Sequence, residues 1–176
     1  VDLYVLTIPT YVQMLKGLSA QLTKAEAHAA EHGGDLISAR LAPDMFPLST
    51  QVRFVCTQAS ELLRYLTGAD AFAPAEDAAD FTGLRAQLAD ALARIESVKP
   101  NAFDGAASRA IAMTLPNGMV FDLTGEQFVR DWALPQVYFH LMAAYAILRS
   151  QGVPLGKPDW VAHMFAYIRP GTMTGG

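Results

Sequence analysis

An all-α four-helix bundle, with a short β-hairpin before the last long helix, is the fold class this sequence predicts, on three observations. Four long segments repeat apolar residues at helical spacing. Between the third and fourth, the period drops from 3.6 to 2 around Asn117-Gly118. The run Trp132 to Leu148 is almost wholly apolar, the mark of a helix buried nearly all round. The 176 residues suit a single domain. We assign residues 1–168 to the bundle and 169–176 to a flexible tail rich in Gly and Thr.

The first helix is expected over about Thr10 to Glu31, on Tyr11, Leu15, Leu18, Leu22, Ala25 and Ala29, with Pro9 near its start and Gly33-Gly34 as its stop. For the second, Asp44 is the expected N-cap and Pro47 falls in the first turn. Its stripe is Leu48, Val52, Val55, Ala59, Leu62 and Leu66, and Gly68 ends it. A Pro and Ala rich loop, Ala69 to Ala79, leads to a third helix on Phe81, Leu84, Leu88, Ala91, Ile95 and Val98, closed by Pro100. In the hairpin Ile111, Met113 and Leu115 alternate with smaller or polar residues, as do Met119, Phe121 and Leu123. Asn117-Gly118 is expected to be a two-residue turn of positive φ.

Thr124 and Gln127 have capping-box spacing and open the fourth helix, which is expected to run to Gln151 with a kink at Pro135. Leu134, Val137, Leu141, Ala144 and Leu148 form its seam. A short C-terminal helix, Asp159 to Tyr167, is expected to lay Trp160 and Phe165 on the bundle.

Composition narrows the function classes. The chain is 52% apolar and 17% charged, more apolar than an average soluble domain, which favours a large core or a homodimer contact. The net charge is −4, with 13 Lys and Arg scattered along the chain, so neither nucleic acid nor an anionic membrane is an expected partner. The last long apolar run contains Pro, Gln and His, which argues against a membrane span. Cys56 is the single cysteine. It excludes an intrachain disulfide and favours a reducing, cytoplasmic setting, and its place beside the apolar stripe reads as a buried small residue.

Within the apolar run, Gln136 and His140 share one helix face. Buried polar groups are costly unless paired, so this pair marks the candidate site. Tyr138 and Tyr145 point elsewhere and read as aromatic packing. The string His28 to His32, HAAEH, matches an H-x-x-E-H zinc-peptidase pattern. It lies in the last turn before Gly33, where His is favoured by the helix dipole, and it lacks the context of such a site.

The segments ARLAPDMFPLSTQV, Ala39 to Val52, and ALPQVYFHLMAAYAILRSQGVPLGKPDW, Ala133 to Trp160, resemble a bacterial family of unknown function related to the DinB/YfiT-like four-helix bundles. The resemblance covers essentially the whole chain. It implies an up-down-down-up bundle and frequent dimerisation. For the wider superfamily it also implies a divalent metal, zinc or nickel, on three His, and in some members thiol-dependent transfer or isomerisation. The resemblance places His140 at the second His of the last helix, Gln136 at the first, and Gln51 at the second-helix position. A neutral amide is a weak donor to such ions, so a metal on His140 is the minority expectation, with Asp44 or water as the rescuing ligand.

Arg40 and Asp44 read locally as a loop ion pair and a cap. They are also candidates for the mouth of a ligand pocket floored by His140, Gln136 and Gln51. The leading functional expectation is therefore a small-molecule-binding protein or remnant enzyme. The alternative is a dimeric structural or regulatory protein in which the polar trio only fixes register. A metal-dependent thiol transferase is the third.

Overall fold

The computed structural model describes residues 2–172. The tail expected at 169–176 therefore lies partly outside the described residues, from 173 onward. Four helical segments build the bundle: α1 (Leu3–His32), α2 (Leu48–Thr67), α3 (Phe81–Ser97) and a composite last helix. The last opens as a single turn, α4 (Gly125–Gln127), continues as a π-helix over Phe128–Ala133 and becomes α5 (Leu134–Ser150).

Cross-contacts give the directions. Tyr4 of α1 meets the Val98 carbonyl and Lys16 meets Glu96, while Glu26 meets Arg85, so α1 and α3 are antiparallel. His140 meets Gln51 and Phe128 meets Tyr65, so α2 and α5 are antiparallel. The Tyr11 hydroxyl donates to the Ala133 carbonyl at 3.0 Å, and the far end of α1 lies at Gly152, so α1 and α5 run together. The topology is up-down-down-up.

The apolar stripes form the core. Every stripe residue of α2 is fully buried, as are Leu15, Leu18, Leu22, Leu84, Ile95, Leu141 and Leu148. Asp80 caps α3, accepting from the Gly83 N–H at 2.7 Å. Asp80→Ala is expected to cost about 1 kcal/mol, read as a lower midpoint in urea unfolding.

Four local expectations are corrected. Helix α1 begins at Leu3, capped by Asp2, and carries Pro9 inside it. The carbonyl one turn earlier that Pro9 leaves without a donor belongs to Val5, which is exposed, so solvent satisfies it. Asp44 does not cap α2: Pro47 occupies the N-cap with no side-chain bond, and Asp44 is exposed in the preceding loop.

The hairpin pairs β1 (Ala110–Thr114) with β2 (Val120–Thr124) antiparallel, with Ile111 opposite Leu123 and Met113 opposite Phe121. Its loop has three residues, not two. The ring of Pro116 restricts its φ to about −65°, the Gly118 N–H returns to the Leu115 carbonyl at 2.9 Å, and within the loop only Gly118 has positive φ, 85°. That is a type I turn closed by a glycine bulge. Finally, the C-terminal segment is split into α6 (Lys157–Trp160) and a 3₁₀ stretch, Ala162–Tyr167. Trp160 packs edge-on against Tyr145, but Phe165 is exposed, because the break rotates it off the face that Trp160 uses.

The capping box of Thr124 and Gln127 is present. Pro135 lies just past the π-helix. There the Leu134 N–H reaches back to Val129, one residue further than in an α-helix, and the widened turn accommodates the ring and lost donor of Pro135.

Candidate functional site

Gln51 in the first turn of α2 and His140 midway along α5 meet across the antiparallel pair. Both are buried, and His140 Nδ1 lies 2.9 Å from Gln51 Oε1. Gln51 Nε2 donates to the Phe46 carbonyl at 3.2 Å, which fixes the amide with its oxygen toward the imidazole. The tautomer follows: Nδ1 carries the proton and donates, and Nε2 keeps its lone pair. Among the described residues Nε2 has no hydrogen-bond partner.

Aromatic rings surround the imidazole. The Phe54 ring centroid is 4.9 Å away and that of Phe139 5.2 Å, while Phe46 packs edge-on to Phe54 at 5.2 Å. Burial among them holds the His140 pKa down to about 4, so the ring is neutral at physiological pH.

The other expected site residues stand apart. Gln136 is half-buried and lines a surface recess of about 320 Å³ with Pro135 and Phe139, one turn from His140 on the same helix. His140 and Gln51 are not among the residues that line this recess, so the structure does not join the expected trio as one pocket floor. Arg40 and Asp44 form no ion pair. Both are exposed, and Arg40 Nη1 reaches the Met45 carbonyl at 3.4 Å, so its contact is with the loop that presents Phe46.

Phe46, Phe54 and Phe139 complete the surround of the imidazole, and no sequence pattern marks them on its own. Phe54 sits three positions after Gln51 and Phe139 directly before His140, a signal readable once Gln51 and His140 are paired. A second polar group lies further along the α2 and α5 contact. The Glu61 carboxyl is raised in pKa, by burial first, with Trp132, Arg64 and Gln58 acting the other way. Trp132 Nε1 and Gln58 Oε1 are buried without a well-formed partner. Cys56 is buried and its thiol is pushed up to about 12 by burial, the inert state expected of it.

The donor set does not fit a three-His metal centre. His140 has Nδ1 engaged, its neighbours are amides, and among the described residues no three His, Cys, Asp or Glu side chains converge as a metal set. His28 and His32 stack at 4.4 Å on the exposed end of α1, with the His28 carbonyl 3.2 Å from His32 Nδ1. They are residues of a helix end without a third ligand. Among the described residues, no helix is long and apolar enough to cross a membrane.

Comparison with known proteins places these features. Residues 3–161 match the family described as a domain of unknown function, DUF1993. The chain is similar to a solved structure, the crystal structure of a DinB family member protein from Shewanella denitrificans, at 34% identity, with a TM-score of 0.81. The match covers 98% of this chain and 96% of that one. No curated protein matches it.

Proposed function

Because the chain belongs to the DUF1993 family and has a DinB family fold, we propose that it acts as a metal-independent small-molecule-binding protein, using the unpaired His140 Nε2 as its acceptor. The observation that carries this reading is the chain from the Phe46 carbonyl through the Gln51 amide to His140. It fixes the tautomer and leaves one lone pair in an aromatic surround. Such a group takes an N–H or O–H donor on a small apolar body that packs on Phe139, the ring that lies against the imidazole and also lines the neighbouring recess. With its pKa held down to about 4, the nitrogen serves as a hydrogen-bond acceptor rather than as a base at neutral pH.

The test follows the His140 ring by NMR while phenol is added at about 1 mM, the range of a weak fragment. A shift of its Cε1–H signal is expected in the wild type, with binding lost in His140→Phe, which keeps the apolar volume. No shift with phenol, together with wild-type stability in a Gln51→Leu/His140→Phe double variant, would leave the pair as a filler of the helix contact and retire the reading.

Two further parts belong to the same proposal. The chain works as a homodimer through the exposed Tyr138, Phe139 and Met142 of α5. In support, residues 133–148 carry no charged side chain, so two like copies meet there without repulsion. Sedimentation should show a dimer for the wild type and a monomer for Met142→Lys. The setting is a reducing one such as the cytoplasm, supported by the single buried thiol.

A further inference from the structure

The last two turns of α1 carry two imidazoles that the core does not use. His28 and His32 are four residues apart, so they are neighbours on one helix face. Their rings stack with centroids 4.4 Å apart, 20° from parallel. His28 is half-buried and His32 exposed. Both line a surface recess of about 410 Å³, together with Lys24, Glu31 and Pro154.

Each ring has a nitrogen to give. His32 Nδ1 lies 3.2 Å from the His28 carbonyl and donates to it, which leaves the lone pair on Nε2. His28 Nε2 faces the turn after α5, where a Cβ on Gly152 would stand 3.6 Å from it. Glycine is there because φ is 85°, and its bare backbone leaves that nitrogen uncrowded. Among the described residues neither Nε2 has a hydrogen-bond partner. The charges suit a cation. The final carbonyls of α1 and the Glu31 carboxylate, 4.0 Å from His32 Nδ1, make this helix end negative. Lys24, on the same recess, is neutralised by Asp159 at 2.6 Å.

We propose that His28 and His32 chelate one divalent first-row transition ion, with water in its remaining positions. Two imidazoles fall short of a closed three-ligand centre but suffice for a chelate. Imidazole suits copper, nickel and zinc, and rotation of two side chains one turn apart brings both Nε2 atoms to the bonding distance of about 2 Å from a shared ion. Copper(II) binds most tightly, following the general order of these ions for nitrogen ligands. The bound ion ties successive turns at the end of α1 together and so stabilises the folded chain. The site lies on another helix than His140 and does not depend on the reading of that residue.

The probes are copper(II) and zinc(II), titrated calorimetrically into the full chain, free of any tag, at neutral pH. One site per chain is expected, with copper bound about tenfold or more tighter than zinc. Saturating zinc should raise the melting temperature. His28→Ala and His32→Ala should each weaken copper binding about tenfold or more and remove the rise with zinc, whereas His163→Gln should change neither. The sharpest variant is Ala30→His/His32→Ala. It keeps all four histidines in number but sets the pair two residues apart, on different faces of the helix, and it should bind as weakly as His32→Ala. Wild-type affinity in that variant or in either single variant would overturn the proposal. So would the absence of binding by the wild type, or loss of the ion in His140→Phe, which would place it at the other site.

Discussion

Lowering the pH from 7 to 4 is expected to remove about 3 kcal/mol of stability through His140 alone. In the unfolded chain this imidazole takes a proton near pH 6.5. In the folded protein, burial among Phe54 and Phe139 holds it neutral down to about 4. Between the two values only the unfolded chain binds the proton, so each fall of one pH unit favours unfolding by about 1.4 kcal/mol. The contribution is complete above pH 6.5 and is lost as the pH falls toward 4. Glu61 acts in the opposite sense, because its raised pKa favours the folded state as it protonates. The experiment is therefore a difference: urea unfolding at pH 7 and pH 4 for the wild type and for His140→Phe. The wild type should lose about 3 kcal/mol more than the variant. Equal losses would mean that the imidazole is solvated in the folded protein, and the ligand reading would lose its neutral acceptor.

Gly125→Ala is expected to cost about 3 kcal/mol or more, at or beyond the top of the usual range for overpacking. A Cβ at this position would lie 1.9 Å from the Ala106 carbonyl oxygen and 3.2 Å from Leu66 Cδ2. The obstacle is backbone, so no rotamer change relieves it. The backbone is also tied down: the Gly125 N–H donates to the Arg109 carbonyl at 2.9 Å, and Thr124 before it closes the capping box. The last helix must start here, against the 106–109 segment, for the π-helix and α5 to reach their places. Urea unfolding measures the loss. A cost under about 1 kcal/mol would show that the 106–109 segment moves aside freely.

Much of this architecture was legible in the chain. The α2 stripe named from spacing alone is buried at every position, and Gly68 ends that helix at φ 78°. The capping box at Thr124 and the two alternating strands of the hairpin follow equally local rules, whereas the register, Ile111 opposite Leu123, came with the three-residue loop. The misreadings have local causes too. Pro9 looks like a helix start because proline favours first turns, but on an exposed face the lost bond is made good by water. Asn117-Gly118 looks like a two-residue turn, but Pro116 ahead of it sets a different one.

The site was legible in part. Gln136 and His140 announce themselves as polar residues on an apolar helix, and Gln51 joins them only through the resemblance; of the two amides it is Gln51 that meets His140. Sequence distance conceals this, since Gln51 and His140 are 89 residues apart. Nothing local shows that the Phe46 carbonyl orients the amide.

What the sequence by itself determined is the set of helices, the hairpin between them and the presence of a costly polar residue, His140, in the last helix. Those follow from periodicity, capping and the price of burying polar groups, all of which act over a few residues. What only the tertiary structure decided is which polar atoms meet and where open space remains: His140 on Gln51, and Gln136 left half-buried in a separate surface recess. The contact joins segments distant in the chain, set by how antiparallel helices pack, and no local pattern encodes it.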